Sequence, residues 1–194
     1  MIAAGPLWII ASVVVVASGW KLANPAPTAR AIGALVGASV ATRRAGSGPL
    51  VIAARALGFG EAALALFAVW RGGAAALVLA GLYLAFALIA WRLQRRNIAC
   101  GCFGAASTKT SGIHIAVNAA AAAVATWAAA IDVPGLRAAF RDLPAFGIGH
   151  LVLVSAGAAA MIALLTVLPA VRELSRTRPG VDQPVLFRLR SELT

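Results

Sequence analysis

Five long apolar runs alternate with short connections that carry prolines, glycines or arginines. Each run is close to the roughly 20 residues that an α-helix needs to cross the hydrocarbon core of a bilayer. The runs cover about residues 3–22, 51–70, 73–93, 112–131 and 148–170. The pattern therefore predicts an all-α, polytopic membrane helix bundle of five helices.

The first connection contains a further apolar pattern. Asn24-Pro25-Ala26-Pro27 ends the first helix, because proline removes a backbone donor and clashes with the preceding turn. Beyond it, Ile32, Leu35, Val36 and Val40 recur at helical spacing. This spacing predicts an interfacial helix near 28–44 that lies flat on the membrane. The other predicted segments are a connecting loop at 132–147, the additional transmembrane helix at 148–170 and a polar tail at 171–194.

Composition agrees with a bilayer as the solvent. Hydrophobic residues make up 61% of the chain and charged residues 12%, and the mean hydropathy is +0.90. The net charge of +11 would suggest nucleic acid for a soluble protein, but here the basic residues cluster between helices, where they act as topology signals. We therefore expect no nucleic-acid partner.

The distribution of those basic residues predicts an orientation. Fourteen of the 17 lie in or next to the connections on the same face as the cysteines, while the other face carries Arg71, Arg137 and Arg141. The positive-inside rule then places the amino terminus outside, and the cysteine loop and carboxyl terminus in the cytoplasm. The expected location is the cell membrane, with multiple passes.

The two cysteines form a single pair, Cys100-Gly101-Cys102, between the third and fourth runs. Such a pair can cycle between dithiol and disulfide. Inert buried thiols are a second interpretation, but the nearby Arg95-Arg96 and Lys109 favour a thiolate. A metal site is the weakest interpretation, because two thiolates need further ligands and the two histidines of the chain are predicted on opposite faces.

Glu61 is the ionisable residue placed where lipid makes it most costly. It lies ten residues past Val51, which at about 1.5 Å per residue is ~15 Å into the bilayer. Such a carboxyl is a functional candidate with its face turned into the bundle. The alternative is a protonated structural carboxyl tied to a neighbouring helix. Arg55 is a poor partner, since a six-residue offset turns the two side chains apart.

Three further polar residues are candidates. Lys21 closes the first helix on the cysteine face, where an ammonium could lower the pKa of a thiol, or where the lysine could instead snorkel to headgroups. His114 and Asn118, four residues apart, share one stripe of the fourth helix. They could shuttle a proton, hydrogen-bond a quinone carbonyl or orient Glu61, or they could form ordinary interhelical hydrogen bonds.

The chain resembles the MauE proteins of methylamine utilisation, within the wider DoxX-like group. The resemblance rests on Gly19-Trp20-Lys21-Leu22, on a glutamate in the second helix, on Cys100-Gly101-Cys102-Phe103-Gly104 and on an asparagine in the fourth helix, and it covers about residues 8–125. It implies a four-helix core, residues 1–131, to which the fifth helix is an addition. It also implies a small redox-associated membrane protein that helps to form or maintain disulfides in exported proteins beside a thioredoxin-like partner. It nominates Lys21, Glu61, Cys100, Cys102 and Asn118 as site residues.

The leading hypothesis is a membrane thiol-disulfide oxidoreductase or electron relay. Its cysteine pair would pass electrons between a thioredoxin-like protein and a quinone or second thiol carrier, with Glu61 and His114 carrying protons. One alternative is a non-enzymatic subunit that docks or stabilises a redox partner. Another is a small transporter built around Glu61.

Overall fold

The computed structural model describes residues 2–36, 48–98, 112–142 and 152–163, together with Gly149 and Val167. The cysteine pair, His150 and the tail lie outside these residues. In chain order the helices are α1 Gly5–Ala23, α2 Ala26–Val36, α3 Gly48–Arg71, α4 Ala76–Arg95, α5 Gly112–Ala130, α6 Leu136–Asp142 and α7 Val152–Ala163. Two 3₁₀ turns, Ile2–Ala4 and Gly73–Ala75, precede α1 and α4.

Four of these helices are long and apolar enough to cross a membrane: α1, α3, α4 with its preceding turn, and α5. The predicted all-α, polytopic membrane bundle with a four-helix core is thereby confirmed. Within the predicted fifth span, the structure describes α7, whose length at about 1.5 Å per residue falls short of the ~30 Å hydrocarbon core. That α7 belongs to a full span stays a prediction.

The helices form two closely packed pairs. α4 and α5 share the largest interface and α1 and α3 the next, and α2 packs against α3. α1 is the central helix. Half of the residues in its most apolar 18-residue stretch are buried inside the protein, whereas the same fraction is 22 to 33% in the other three membrane-spanning helices. Large apolar side chains such as Phe59, Trp70 and Leu84 face outward, as expected for lipid-facing surfaces.

The buried face of α3 consists almost entirely of small residues. Together with Glu61, the small residues Ala54, Gly58, Ala65 and Ala68 form a stripe with alternating spacings of four and three residues, and Glu61 stands in its middle. Lipid gives apolar helices little reason to associate, so close backbone approach through small residues provides much of the attraction. The stripe thus directs a carboxyl group into the interface with α1.

The connections at the end opposite the cysteine segment interlock tightly. Gly72 adopts a left-handed conformation with φ of 66°, and a Cβ atom there would collide with the backbone of Gly135. The amide of Gly73 donates to the carbonyl of Val133 at 2.7 Å. The α3–α4 turn is therefore fixed against the segment that leaves α5.

Helix α2 presents its small residues, including Ala29, Ala31 and Gly33, to the protein, while Val36 is exposed. Its last turn is tied to the end of α4, because Arg96 donates to the carbonyl of Ala34 at 2.7 Å. The described helix covers the first part of the predicted interfacial segment 28–44. Its orientation relative to the bilayer stays a prediction.

Candidate functional site

A buried ion pair joins α1 to α3. The ammonium of Lys21 contacts Oε2 of Glu61, and their side chains are only 4% and 2% exposed. The Ser18 hydroxyl donates to the same oxygen at 3.4 Å. Because each charge is costly away from water unless it is paired, the two side chains support each other's burial. Lys21 therefore points into the bundle rather than snorkelling to headgroups.

Local sequence explains how these groups meet. Ser18 precedes Lys21 by three residues, so both lie on one face of α1. Gly58 likewise precedes Glu61 by three residues, and a Cβ atom built on it would lie 3.1 Å from Cβ of Lys21 and 3.2 Å from the carbonyl of Ser18. The missing side chain of Gly58 lets α1 approach α3 closely enough for the pair to form.

The second carboxylate oxygen of Glu61 has a different environment. Oε1 is buried and, among the described residues, no group donates a hydrogen bond to it. A buried acceptor without a donor is destabilising and calls for an explanation. Oε1 thus keeps its capacity to accept a hydrogen bond, for example from a water molecule.

Lys21 also forms part of the wall of a small cavity. The cavity has a volume of about 50 Å³ and lies between α1, α4, α5 and α7. The ammonium of Lys21 stands 5.2 Å from the centroid of the Phe86 ring, within the range of a cation–π interaction. The lining residues are Val13, Val14, Ala17, Lys21, Tyr83, Phe86, His114, Val117, Asn118 and Met161.

The predicted stripe of α5 faces this cavity. His114 and Asn118 both line it, and His114 is 9% exposed. The side-chain amide of Asn118 donates to the backbone carbonyl of His114 at 2.7 Å. The structure therefore brings together Lys21, His114 and Asn118 from two helices. The hydrogen bonds recorded for Glu61 come from Lys21 and Ser18 on α1, so the idea that Asn118 orients Glu61 remains a prediction.

Cavity size limits what the site can hold in this conformation. One water molecule takes up about 30 Å³ in the liquid, so a cavity of 50 Å³ accommodates one or two. Pockets for cofactor-sized ligands are usually about 300 to 1,000 Å³. A quinone ring would require the surrounding side chains to move, and water is the ligand that fits the cavity as it stands.

Several members of the site were missed by sequence reasoning. Tyr83 lines the cavity and donates to the carbonyl of Ile10 at 2.7 Å, which ties α4 to α1. Met161 reaches the cavity from α7, which packs on α1 so closely that a Cβ atom at Gly157 would lie 2.6 Å from Ile9 Cδ1. Spacing could have indicated Ser18 and Gly58, but the sequence holds no signal for Met161.

Cys100 and Cys102 lie outside the described residues, as does His150. The flanking elements are described: α4 ends at Arg95 and α5 begins at Gly112, so the segment with the cysteines connects these two helix ends. His114 is in the first turn of α5. Among the described residues, no three His, Cys, Asp or Glu side chains are grouped as metal ligands would be.

The fold and this site define a class: a multi-pass helical membrane protein with a buried ion pair and a small, mainly apolar cavity into which a few polar side chains of the bundle project. The family model for methylamine utilisation protein MauE matches residues 1–131. The chain therefore belongs to the MauE family, which confirms the resemblance, and α7 lies beyond the matched region. No curated protein and no solved structure matches the chain.

Proposed function

We propose that this MauE-family protein is a membrane thiol-disulfide redox protein whose Cys100 and Cys102 cycle between dithiol and disulfide. The observation that carries the proposal is the convergence of Lys21, His114 and Asn118 on one buried cavity. His114 begins the helix that directly follows the cysteine segment. Buried ionisable groups in a membrane bundle mark functional sites, and thiol exchange needs groups that hold protons.

The reaction follows from thiol chemistry. One cysteine thiolate attacks a disulfide of a thioredoxin-like partner, forming a mixed disulfide and releasing one partner thiolate. The second cysteine then attacks its neighbour, which closes the Cys100–Cys102 disulfide and releases the reduced partner. A dithiol carrier or a hydroquinone returns two electrons and two protons to the pair. The same steps in reverse oxidise the partner.

The residues of the cavity have separate roles in this proposal. His114 accepts and returns the thiol proton, and the Lys21–Glu61 pair provides a second proton-holding position beside it. Asn118 offers an amide to a bound carbonyl group or water. Because the cavity has room for only one or two water molecules, a water-mediated proton path fits it better than a permanently bound quinone.

Counting labelled thiols across redox potentials tests the proposal. The chain contains only two cysteines, so the full-length protein in lipid nanodiscs can be equilibrated with glutathione and dithiothreitol redox buffers that together span a wide range of potentials, alkylated and weighed intact. We expect both labels to appear together at one midpoint potential, and Cys100→Ser and Cys102→Ser to carry one label throughout. Two labels, or none, at every potential would refute redox cycling.

Partner trapping separates the proposal from its alternatives. One single-cysteine variant should accumulate a mixed disulfide with a partner protein, whereas the other should not, because only the attacking cysteine forms it. Normal activity of both variants would favour a non-enzymatic docking subunit. Proton or solute flux into vesicles that survives loss of both cysteines and stops with Glu61→Gln would favour a transporter.

We also propose that the cysteine loop faces the cytoplasm, on the basis of the charge bias. A membrane-impermeant maleimide should then label Cys100 and Cys102 only after cell lysis. Prompt labelling in intact cells would reverse this orientation and place the redox partner outside.

A further inference from the structure

A second, larger cavity lies at the surface between the last turn of α2 and the last two turns of α4. It is a groove of about 350 Å³, within the size range of ligand pockets. Leu35, Ile89 and Trp91 form its apolar wall, and three arginines, Arg92, Arg95 and Arg96, form its polar wall. The groove is distinct from the buried cavity around Lys21.

Two of the arginines are held in place. The Arg95 guanidinium stacks 4.0 Å from the centroid of the Trp91 ring, and Arg96 donates to the carbonyl of Ala34 on α2. Stacking on an aromatic face leaves the edge of a guanidinium free to donate to an oxyanion. Arg95 and Arg96 are therefore fixed at the groove, and the exposed Arg92 adds a third guanidinium beside them.

The positive charge of the groove is not neutralised by the described carboxylates. Glu61 is buried and paired with Lys21, and Asp132 lies at the opposite end of the bundle beside Gly73. The C-terminal end of α4 carries only a partial negative charge. Within the described ranges, the groove thus lacks a counter-ion of its own and favours an anionic ligand.

The apolar wall decides which anion fits. Free phosphate would satisfy the guanidinium groups but would leave Leu35 and Ile89 without a partner. A phospholipid carries a phosphate at the membrane interface and hydrocarbon directly below it. Trp91, at 42% exposed, suits the same depth because tryptophan concentrates at the membrane–water interface.

We propose that this groove is a binding site for an anionic phospholipid, with its phosphate on Arg92, Arg95 and Arg96 and its acyl chain along Leu35 and Ile89. The bound lipid would join the ends of α2 and α4 immediately before the cysteine segment. This inference does not depend on the redox proposal, because it uses neither the cysteines nor the buried cavity.

Lipid retention in native mass spectrometry tests the site. The full-length protein is exchanged into mixed phosphatidylglycerol and phosphatidylcholine nanodiscs, released and weighed with its bound lipids. We expect preferential retention of phosphatidylglycerol, and a reduction on the order of tenfold in Arg92→Gln/Arg95→Gln. Arg96 is kept, since it also holds α2. The matched control, Arg137→Gln/Arg141→Gln, removes the same charge at the other end and should retain the lipid.

Three outcomes would overturn the proposal. These are equal retention of the two lipids, equal loss of phosphatidylglycerol from both double variants, and complete displacement of the lipid by millimolar inorganic phosphate. The last would assign the groove to a free phosphate anion. A thermal unfolding curve of each double variant in detergent distinguishes lost lipid binding from lost folding.

Discussion

The α1–α3 and α4–α5 interfaces solve the same packing problem in different ways. Both use small residues, Gly58 and Ala65 on α3 and Ala121 and Ala125 on α5, to bring helices close together in lipid. Only α1–α3 adds a buried ion pair, Lys21 with Glu61. Close packing needs no charges, as α4–α5 demonstrates. We therefore predict that the charged pair serves the proposed function rather than packing, because a buried pair is costly to desolvate and often adds no stability.

Removing one partner of the pair should have the largest effect on stability. Glu61→Gln or Lys21→Met leaves the other charge buried without a counter-ion, which typically costs about 3–5 kcal/mol. The free energy of unfolding in detergent micelles measures this loss. Arg55→Gln, an exposed change on the same helix, serves as a control and should remain within about 0.5 kcal/mol of the parent protein.

The double variant Lys21→Met/Glu61→Leu separates stability from function. Replacing both charges by apolar groups of similar size is often neutral or stabilising, so we expect it to recover most of the loss. Thiol exchange should nevertheless stay impaired, because the second proton-holding position is gone and only His114 remains. Full exchange activity in a stable double variant would reduce the pair to a structural element and would make the two interfaces equivalent.

Much of the fold could be predicted from the apolar pattern, because a helix in lipid must satisfy its own backbone hydrogen bonds and reveals itself by length. The predicted runs 51–70 and 112–131 became Gly48–Arg71 and Gly112–Ala130. The turn at Gly72–Gly73 was harder, since its left-handed backbone is set by contact with a segment about 60 residues later in the chain.

The site was only half predictable. The sequence predicts Glu61 as a site residue because a carboxylate within an apolar run is costly, and it predicts Lys21 because that residue closes a helix on the cysteine face. Whether Lys21 and Glu61 meet depends on how α1 and α3 are aligned along their axes. Local sequence spacing does not predict this, because the two residues are 40 positions apart in the chain. The contribution of Met161 depends on how α7 docks, and that information lies outside the family match.

A smaller effect on stability should come from crowding the α1–α3 contact itself. Gly58→Ala would place a methyl group 3.1 Å from Cβ of Lys21 and push the helices apart, with an expected loss of about 1–3 kcal/mol. Gly60→Ala is the matched control, because a Cβ atom there meets nothing within 4 Å. Unfolding curves that shift equally for both variants would show that close approach at Gly58 does not matter.

The smallest effect should come from the hydrogen bond that links the two helix pairs. Tyr83→Phe removes the donor to the Ile10 carbonyl, and interhelical hydrogen bonds in membranes contribute about 0.6 kcal/mol on average, with a maximum near 1.7. Thr126→Val is the comparison, since the Thr126 hydroxyl bonds within its own helix, to Ala122. A loss for Tyr83→Phe beyond that of Thr126→Val would show that α4–α5 is anchored to α1 through this bond. Equal losses of stability in the two variants would show that packing alone holds Tyr83 in the cavity wall. The α4–α5 pair would then depend on apolar contacts, in sharper contrast to the polar α1–α3 interface.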